Sequence, residues 1–181
     1  MGQYFHAVIG NDKIRTAYNC IGGVKLLEHS WIGNYFTEYV ASKIYKNPQR
    51  VAWVGDYAEA SIAPCEESKK FWNITPDVKN KKTVYQSEDN RKSDFDITHK
   101  YLVNHTHKMY VDMEEYCENC YSKWGTVHPL PILTCMSNQC GSGDYYGPNS
   151  EYAGSWAWNV LEIKDEIPTD YIYFPIKFKD E

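Results

Sequence analysis

The chain has 181 residues, 43% of them apolar, and a net charge of −5 from 19 basic and 24 acidic side chains. That length suits one domain with a core of its own, and the apolar share excludes a wholly disordered chain. The acidic balance argues against coating nucleic acid, which needs a basic footprint. Aromatic residues reach 15%, with 16 Tyr, 6 Trp and 6 Phe, a surplus suited to β-sheets and to binding faces.

Residues 1–6 show neither the charged start nor the apolar run of a secretion signal. Gly2 is followed at position 6 by His6 rather than the Ser or Thr that myristoylation wants. No apolar run approaches the ~20 residues of a membrane helix, so a soluble cytoplasmic protein is expected. Residues 4–9 alternate weakly and run into Gly10-Asn11-Asp12, which predicts strand, turn and strand up to about Cys20. After Gly22-Gly23, residues 24–27 read as a short strand or the lead-in to a helix.

Ser30 is placed to cap a helix. Beyond it Trp31, Tyr35 and Tyr39, and beside them Ile32, Phe36, Val40 and Ile44, recur at i+4. They form one apolar stripe at helical period. The helix predicted is about 31–46, ended by Asn47-Pro48 because proline disfavours helical backbone in the residue before it. Residues 51–54 follow as a buried strand closed by Gly55-Asp56. Residues 64–96 turn polar, with Phe71, Trp72, Val84 and Tyr85 as the only anchors. They read as an excursion from the core within a single domain spanning 1–181.

Residues 101–103 and 109–111 flank a polar turn and predict a hairpin. An apolar run at 130–133 and a glycine-rich loop at 141–148 come next. Residues 155–163 read as one strand. Residues 171–178 alternate again, and Pro175, which cannot donate to a ladder, puts that strand at an edge. The fold class expected is α+β, a mostly antiparallel sheet with one main helix packed on it.

Six cysteines invite disulfides only in an oxidising compartment, and nothing here directs the chain to one. Cys117-x2-Cys120, fourteen residues, then Cys135-x4-Cys140 instead has the form of two thiolate pairs around one tetrahedral ion, with structural zinc as the cofactor implied. The spacing of four is less usual than two, and a redox pair or no metal at all are the alternatives. His128, between the pairs, could replace one cysteine. Cys20 and Cys65 read as ordinary small core residues.

Five polar residues are candidates for a catalytic or ligand-binding cleft: Glu28, His29, Asp56, His128 and Asp144. Glu28 could orient His29 as a general base. Neighbours in an extended segment point to opposite faces, which favours a plain helix cap with solvated flanks. Asp56 follows a strand and suits either a site or a turn. Asp144 sits in Gly141-Ser142-Gly143-Asp144, flexible enough for backbone to approach a ligand but without the phosphate-loop pattern. His105-x-His107 reads as two exposed turn histidines.

Several strings taken together carry a resemblance: residues 1–5 (MGQYF), 26–34, 51–57, 101–106, 128–134, 141–145 and 154–157. The chain resembles small uncharacterised proteins of bacteria and their phages that open with MGQYF-like residues, from end to end apart from the polar excursion. The resemblance implies a single domain and carries no mechanism. The paired cysteines depart from that group's pattern, which leaves zinc as a local addition rather than a shared device.

Three functions follow as expectations. The first is a small accessory protein that binds another protein through its aromatic surface, since Tyr and Trp dominate binding hot spots. A phage-type antagonist of a host defence system is its narrower form, resting on the resemblance. The second is a small-molecule, nucleotide-type ligand binder or hydrolase with the five polar residues in one cleft. The third is a zinc-stabilised structural module. Binding is favoured over catalysis, with no membrane partner.

Overall fold

The computed structural model describes residues 3–11, 15–19, 23–56, 58, 82–85, 94–136 and 145–179. Among these, nine strands join into one sheet. Eight run in the order β11-β6-β5-β10-β3-β1-β2-β4, and β9 lies beside β3. The strands are β1 (Phe5–Gly10), β2 (Arg15–Asn19), β3 (Gln49–Gly55), β4 (Lys82–Tyr85), β5 (Tyr101–Asn104), β6 (Met109–Asp112), β9 (Cys135–Met136), β10 (Val160–Lys164) and β11 (Ile172–Tyr173). A separate small hairpin pairs β7 (Tyr121–Ser122) with β8 (Gly125–Thr126). Five of the large sheet's pairings are antiparallel; β2–β4, β3–β9 and β6–β11 are parallel. The protein is therefore α+β with a mostly antiparallel sheet, the class its alternating strands and single strong helical stripe indicate.

Side chains alternate across each strand, and register sorts them between two faces. Ala7 opposes Trp53 and Ile9 opposes Val51, and these four belong to the main core together with Phe36, Val40 and Ile44. On the opposite face Val8 lies between Ala17 and Ala52. A smaller apolar cluster there joins them to Val54, Met136, Ala157 and Trp158.

The helix α1 (Tyr35–Ser42) packs on the main-core face. It is shorter at both ends than the 31–46 its stripe predicts, and its cap is Asn34, not Ser30. The Asn34 carboxamide accepts from the N–H groups of Phe36 (3.0 Å) and Thr37 (3.2 Å), satisfying donors that a helix start leaves free. Trp31 cannot be helical because it is bridged to Val127, and Ile32 donates its N–H to Thr126. Gly33 then turns the chain at φ +87°, a conformation open to glycine. Ser30 donates its hydroxyl to the carbonyl of Lys25 at 2.9 Å. At the far end Lys46 takes φ 52° and Tyr45 bridges Ile163. The stripe persists past Ser42 because Ile44 is buried and Tyr45 partly buried in the same core, from non-helical backbone.

Two short helices complete the frame. α2 (Met113–Cys117) starts at Asp112, whose carboxylate accepts from Glu114 and Glu115. α3 (Pro129–Thr134) is fully buried and runs directly into β9.

The hairpin over residues 101–112 forms as its pattern predicts, with the Asn104 side chain accepting from Thr106 and His107 in the turn. The strand predicted for 155–163 forms only from Val160. Before it the chain winds through turns that hydrogen-bond to α3, with Gly154 donating to Ile132 and Trp156 to Leu133. Those turns send Trp156 into the main core and Trp158 into the smaller cluster. The C-terminal strand is likewise reduced to Ile172–Tyr173 at the sheet edge, after which Phe174, Ile176 and Phe178 keep the alternation by packing inward without a ladder. From the polar excursion, Lys82–Tyr85 is a sheet strand beside β2; residues 64–81 and 86–93 lie outside the described residues.

Candidate functional site

The predicted polar residues gather in part. β1 and β3 are antiparallel, so the start of one meets the end of the other at Phe5 and Gly55. There the Asp56 carboxylate accepts from the Tyr4 N–H at 3.2 Å, and the Asp56 N–H returns a bond to the Tyr4 carbonyl at 2.8 Å. The Lys25 ammonium lies 5.8 Å from the centre of the Tyr4 ring and 2.8 Å from Glu28. That bond to lysine is the main reason the Glu28 carboxyl is held below its usual range. His29 accepts the Lys25 backbone N–H at Nδ1, 3.2 Å away. A neutral ring so bonded carries its proton on Nε2, making it a donor rather than the general base its sequence position suggests.

Glu28, His29 and Asp56 thus meet around Lys25 and Tyr4 at one sheet end, where the bonds of Glu28 and His29 close a turn and those of Asp56 extend the β1–β3 pairing. The Lys25–Glu28 pair is partly exposed and contributes little to stability. His128 lies behind them, its N–H bonded to the Ser30 carbonyl. It is fully buried and caps α3 by accepting from Leu130 at Nδ1, and burial pushes its pKa down to about 3. It is a neutral structural cap that solvent does not reach. Asp144 lies outside the described residues.

The cysteines divide as well. Cys117 and Cys120 sit at and just beyond the end of α2, while Cys135 belongs to β9 opposite Trp53. Burial first, then the nearby Cys120, Asp96 and Glu38, push the Cys117 thiol up to about 12. Burial also raises Cys120, beside the Tyr116 hydroxyl. Cys140 lies outside the described residues. Among the described residues, no three His, Cys, Asp or Glu side chains group as metal ligands.

A second constellation emerges only from register. Glu162, Val103, Tyr110 and Tyr173 line up across β10, β5, β6 and β11, and Lys164, Tyr101 and Asp112 form the next row. All stand on the face opposite the main core. Tyr101 and Tyr110 meet edge to face with ring centres 5.9 Å apart, and Tyr110 and Tyr173 are 5.7 Å apart at 46°. Val103 beneath them is fully buried, whereas the three tyrosines keep intermediate exposure.

At the hairpin end His105 bonds Glu162 through Nε2 and the Tyr171 hydroxyl through Nδ1, each at 2.7 Å. The expectation of two exposed turn histidines holds for His107 alone; His105 is a half-buried tie between three segments. Burial, then the Glu115 carboxylate beside it, pushes Tyr173 up to about 12, and burial together with Asp112 raises Tyr101. The spacing of Tyr171 and Tyr173, and of Tyr101, Val103 and His105, is a period of two. That signal places each set on one face without saying that the faces coincide.

Comparison with protein-family models, with curated protein sequences and with solved structures gave no match. No helix among the described residues is long and apolar enough to cross a membrane.

Proposed function

We propose that the protein acts by binding another protein, through the tyrosine-bearing outer face of β10, β5, β6 and β11. The observation that carries this is the cluster of partly exposed rings Tyr101, Tyr110 and Tyr173 on three adjacent strands, with Tyr171 held by His105. Tyrosine offers a large amphipathic contact area and loses little conformational freedom on binding, which is why it concentrates at hot spots. These rings are already ordered by one another, so the cost of fixing them falls largely on folding. At the other sheet end Glu28 and His29 serve a turn and Asp56 ties β3 to Tyr4, which favours binding over a cleft-based hydrolysis.

The test is photo-crosslinking. A benzophenone amino acid replaces Tyr110 in one variant. In a control it replaces Trp124, which is 46% exposed on the β7–β8 hairpin. In extracts of the source cells, Tyr110 is expected to give a discrete adduct that Trp124 does not. Adducts from Trp124 alone, or equal labelling from both, contradict the proposal.

A further inference from the structure

Hydrogen-bond polarity on the tyrosine face selects the partner's chemistry. A carboxylate only accepts, so Glu162 takes the proton on His105 Nε2. In the neutral ring Nδ1 is then the acceptor, and it draws the Tyr171 hydroxyl proton inward. The Tyr171 oxygen is left with lone pairs to offer. The Glu115 carboxylate stands near the Tyr173 hydroxyl. Asp112 follows in the next row beside Tyr101, and Lys164 is the opposing charge, 3.7 Å from Glu162. The face therefore presents ring π-surfaces, phenol oxygens and carboxylates. Its carboxylates Glu162, Asp112 and Glu115 outnumber Lys164, so its potential is negative.

We infer that the segment docking on this face is arginine-bearing: a guanidinium stacked on Tyr110 and Tyr173, giving N–H bonds to the carboxylates and phenol oxygens around them. This inference rests on the protein-binding reading and narrows it. Three features favour arginine over other groups. Its planar cation stacks on aromatic rings, its five donors match a cluster of acceptors, and its charge complements a chain whose own net charge is −5. An acidic segment would meet the carboxylates of Glu115 and Asp112, which are exposed and partly exposed, and like charges so placed lower affinity.

The experiment titrates the full-length protein with three peptides of one length: alternating Gly-Arg, alternating Gly-Lys, and alternating Gly-citrulline, in which a neutral urea replaces the guanidinium. Binding is expected in the order arginine, lysine, citrulline, with citrulline weaker than arginine by about tenfold or more. Tyr110→Ser with Tyr173→Ser is expected to weaken the arginine peptide about tenfold. Glu115→Gln with Asp112→Asn, which keeps a capping side chain on α2, is expected to weaken it several-fold. Glu151→Gln, the loss of one charge at an exposed site in the turn 150–152 outside these four strands, is expected to leave binding unchanged.

Citrulline binding as tightly as arginine overturns the inference, and so does equal weakening by Glu151→Gln. If the Tyr110 crosslink forms and the arginine peptide does not compete with it, the inference falls and the docking reading stands. If neither the crosslink nor the peptide binding appears, both fall. The charge-pair variant supplies the answer independently should the double serine variant unfold.

Discussion

One face of the sheet is used in two ways. Over β1, β2 and β3 it carries Val8, Ala17, Ala52 and Val54, small side chains covered by Trp158 and Met136 and wholly buried. Over β5, β6, β10 and β11 the same face carries Tyr101, Tyr110, Tyr173 and Glu162. The change falls where Val160 pairs with Arg50. Arg50 donates to the carbonyl of Trp158 at 2.9 Å, and the Trp158 N–H bonds the Val51 carbonyl. A left-handed residue at φ 62° is thereby held over a bed of alanines. Small residues let a loop approach the sheet and exclude water. Tyrosines hold such a loop off and keep their hydroxyls where water or a partner can reach them. The contrast is between apolar area already used for folding and apolar area left for association.

The contrast can be broken from either side, and the largest expected effect is on the covered half. Trp158→Ala removes the lid and leaves a cavity over Ala17 and Ala52. It should lower the unfolding free energy by about 3–5 kcal/mol in a denaturant titration. A loss below about 1 kcal/mol would mean the ring is not packed there.

A second effect comes from Glu38, almost fully buried on α1. One carboxylate oxygen accepts from the Gly33 N–H and the other has no hydrogen-bond partner. Burial raises its pKa from 4.5 to about 7, with Asp96 adding to the rise. The folded state therefore binds more protons than the unfolded state between these values, and stability falls as pH rises through that window. The total is about 3 kcal/mol for a shift of this size. Melting temperature at pH 5 and pH 8 should show the drop, and Glu38→Gln should flatten it.

Asn34→Ala comes next, at about 1 kcal/mol for a lost helix cap, read as a fall in the denaturant midpoint. A loss near zero would say that α1 does not depend on that cap. The smallest stability effect belongs to the displayed half. Tyr110→Ser should cost no more than about 1 kcal/mol, the scale of a cross-strand aromatic pair, while weakening the binding of the arginine peptide. A cost as large as that of Trp158→Ala would mean that the tyrosine face is core.

Much of the fold was legible because its signals are local. The period-two runs in β1 and β5–β6, the i+4 stripe of α1 and the proline at the C-terminal edge each report on a neighbourhood of a few residues. Helix limits were less so: Trp31 and Ile32 carry the right period, yet their backbone groups are committed to residues 126 and 127, almost a hundred positions away. Trp156 and Trp158 likewise alternate as a strand would, but donate to Leu133 and Val51 from a run of turns.

For the candidate site, the sequence could flag Glu28, His29, Asp56 and His128 by residue type but not what each would bond. Glu28 and His29 bond back to Lys25 within one turn, Asp56 ties the end of β3 to Tyr4, and the imidazole of His128 is sealed in the core. The tyrosine face was invisible for the opposite reason. Its members are ordinary surface residues singly, and only the register of β10, β5, β6 and β11 makes them neighbours.

Residue-resolved tyrosine nitration, read by mass spectrometry, tests most directly whether the outer face stands open. Tyr110 and Tyr173 should react in the free protein, while Tyr116 and Tyr145, both buried, stay inert until it is unfolded. If Tyr110 and Tyr173 prove as inert as Tyr145, something already covers the face, and the docking account is wrong.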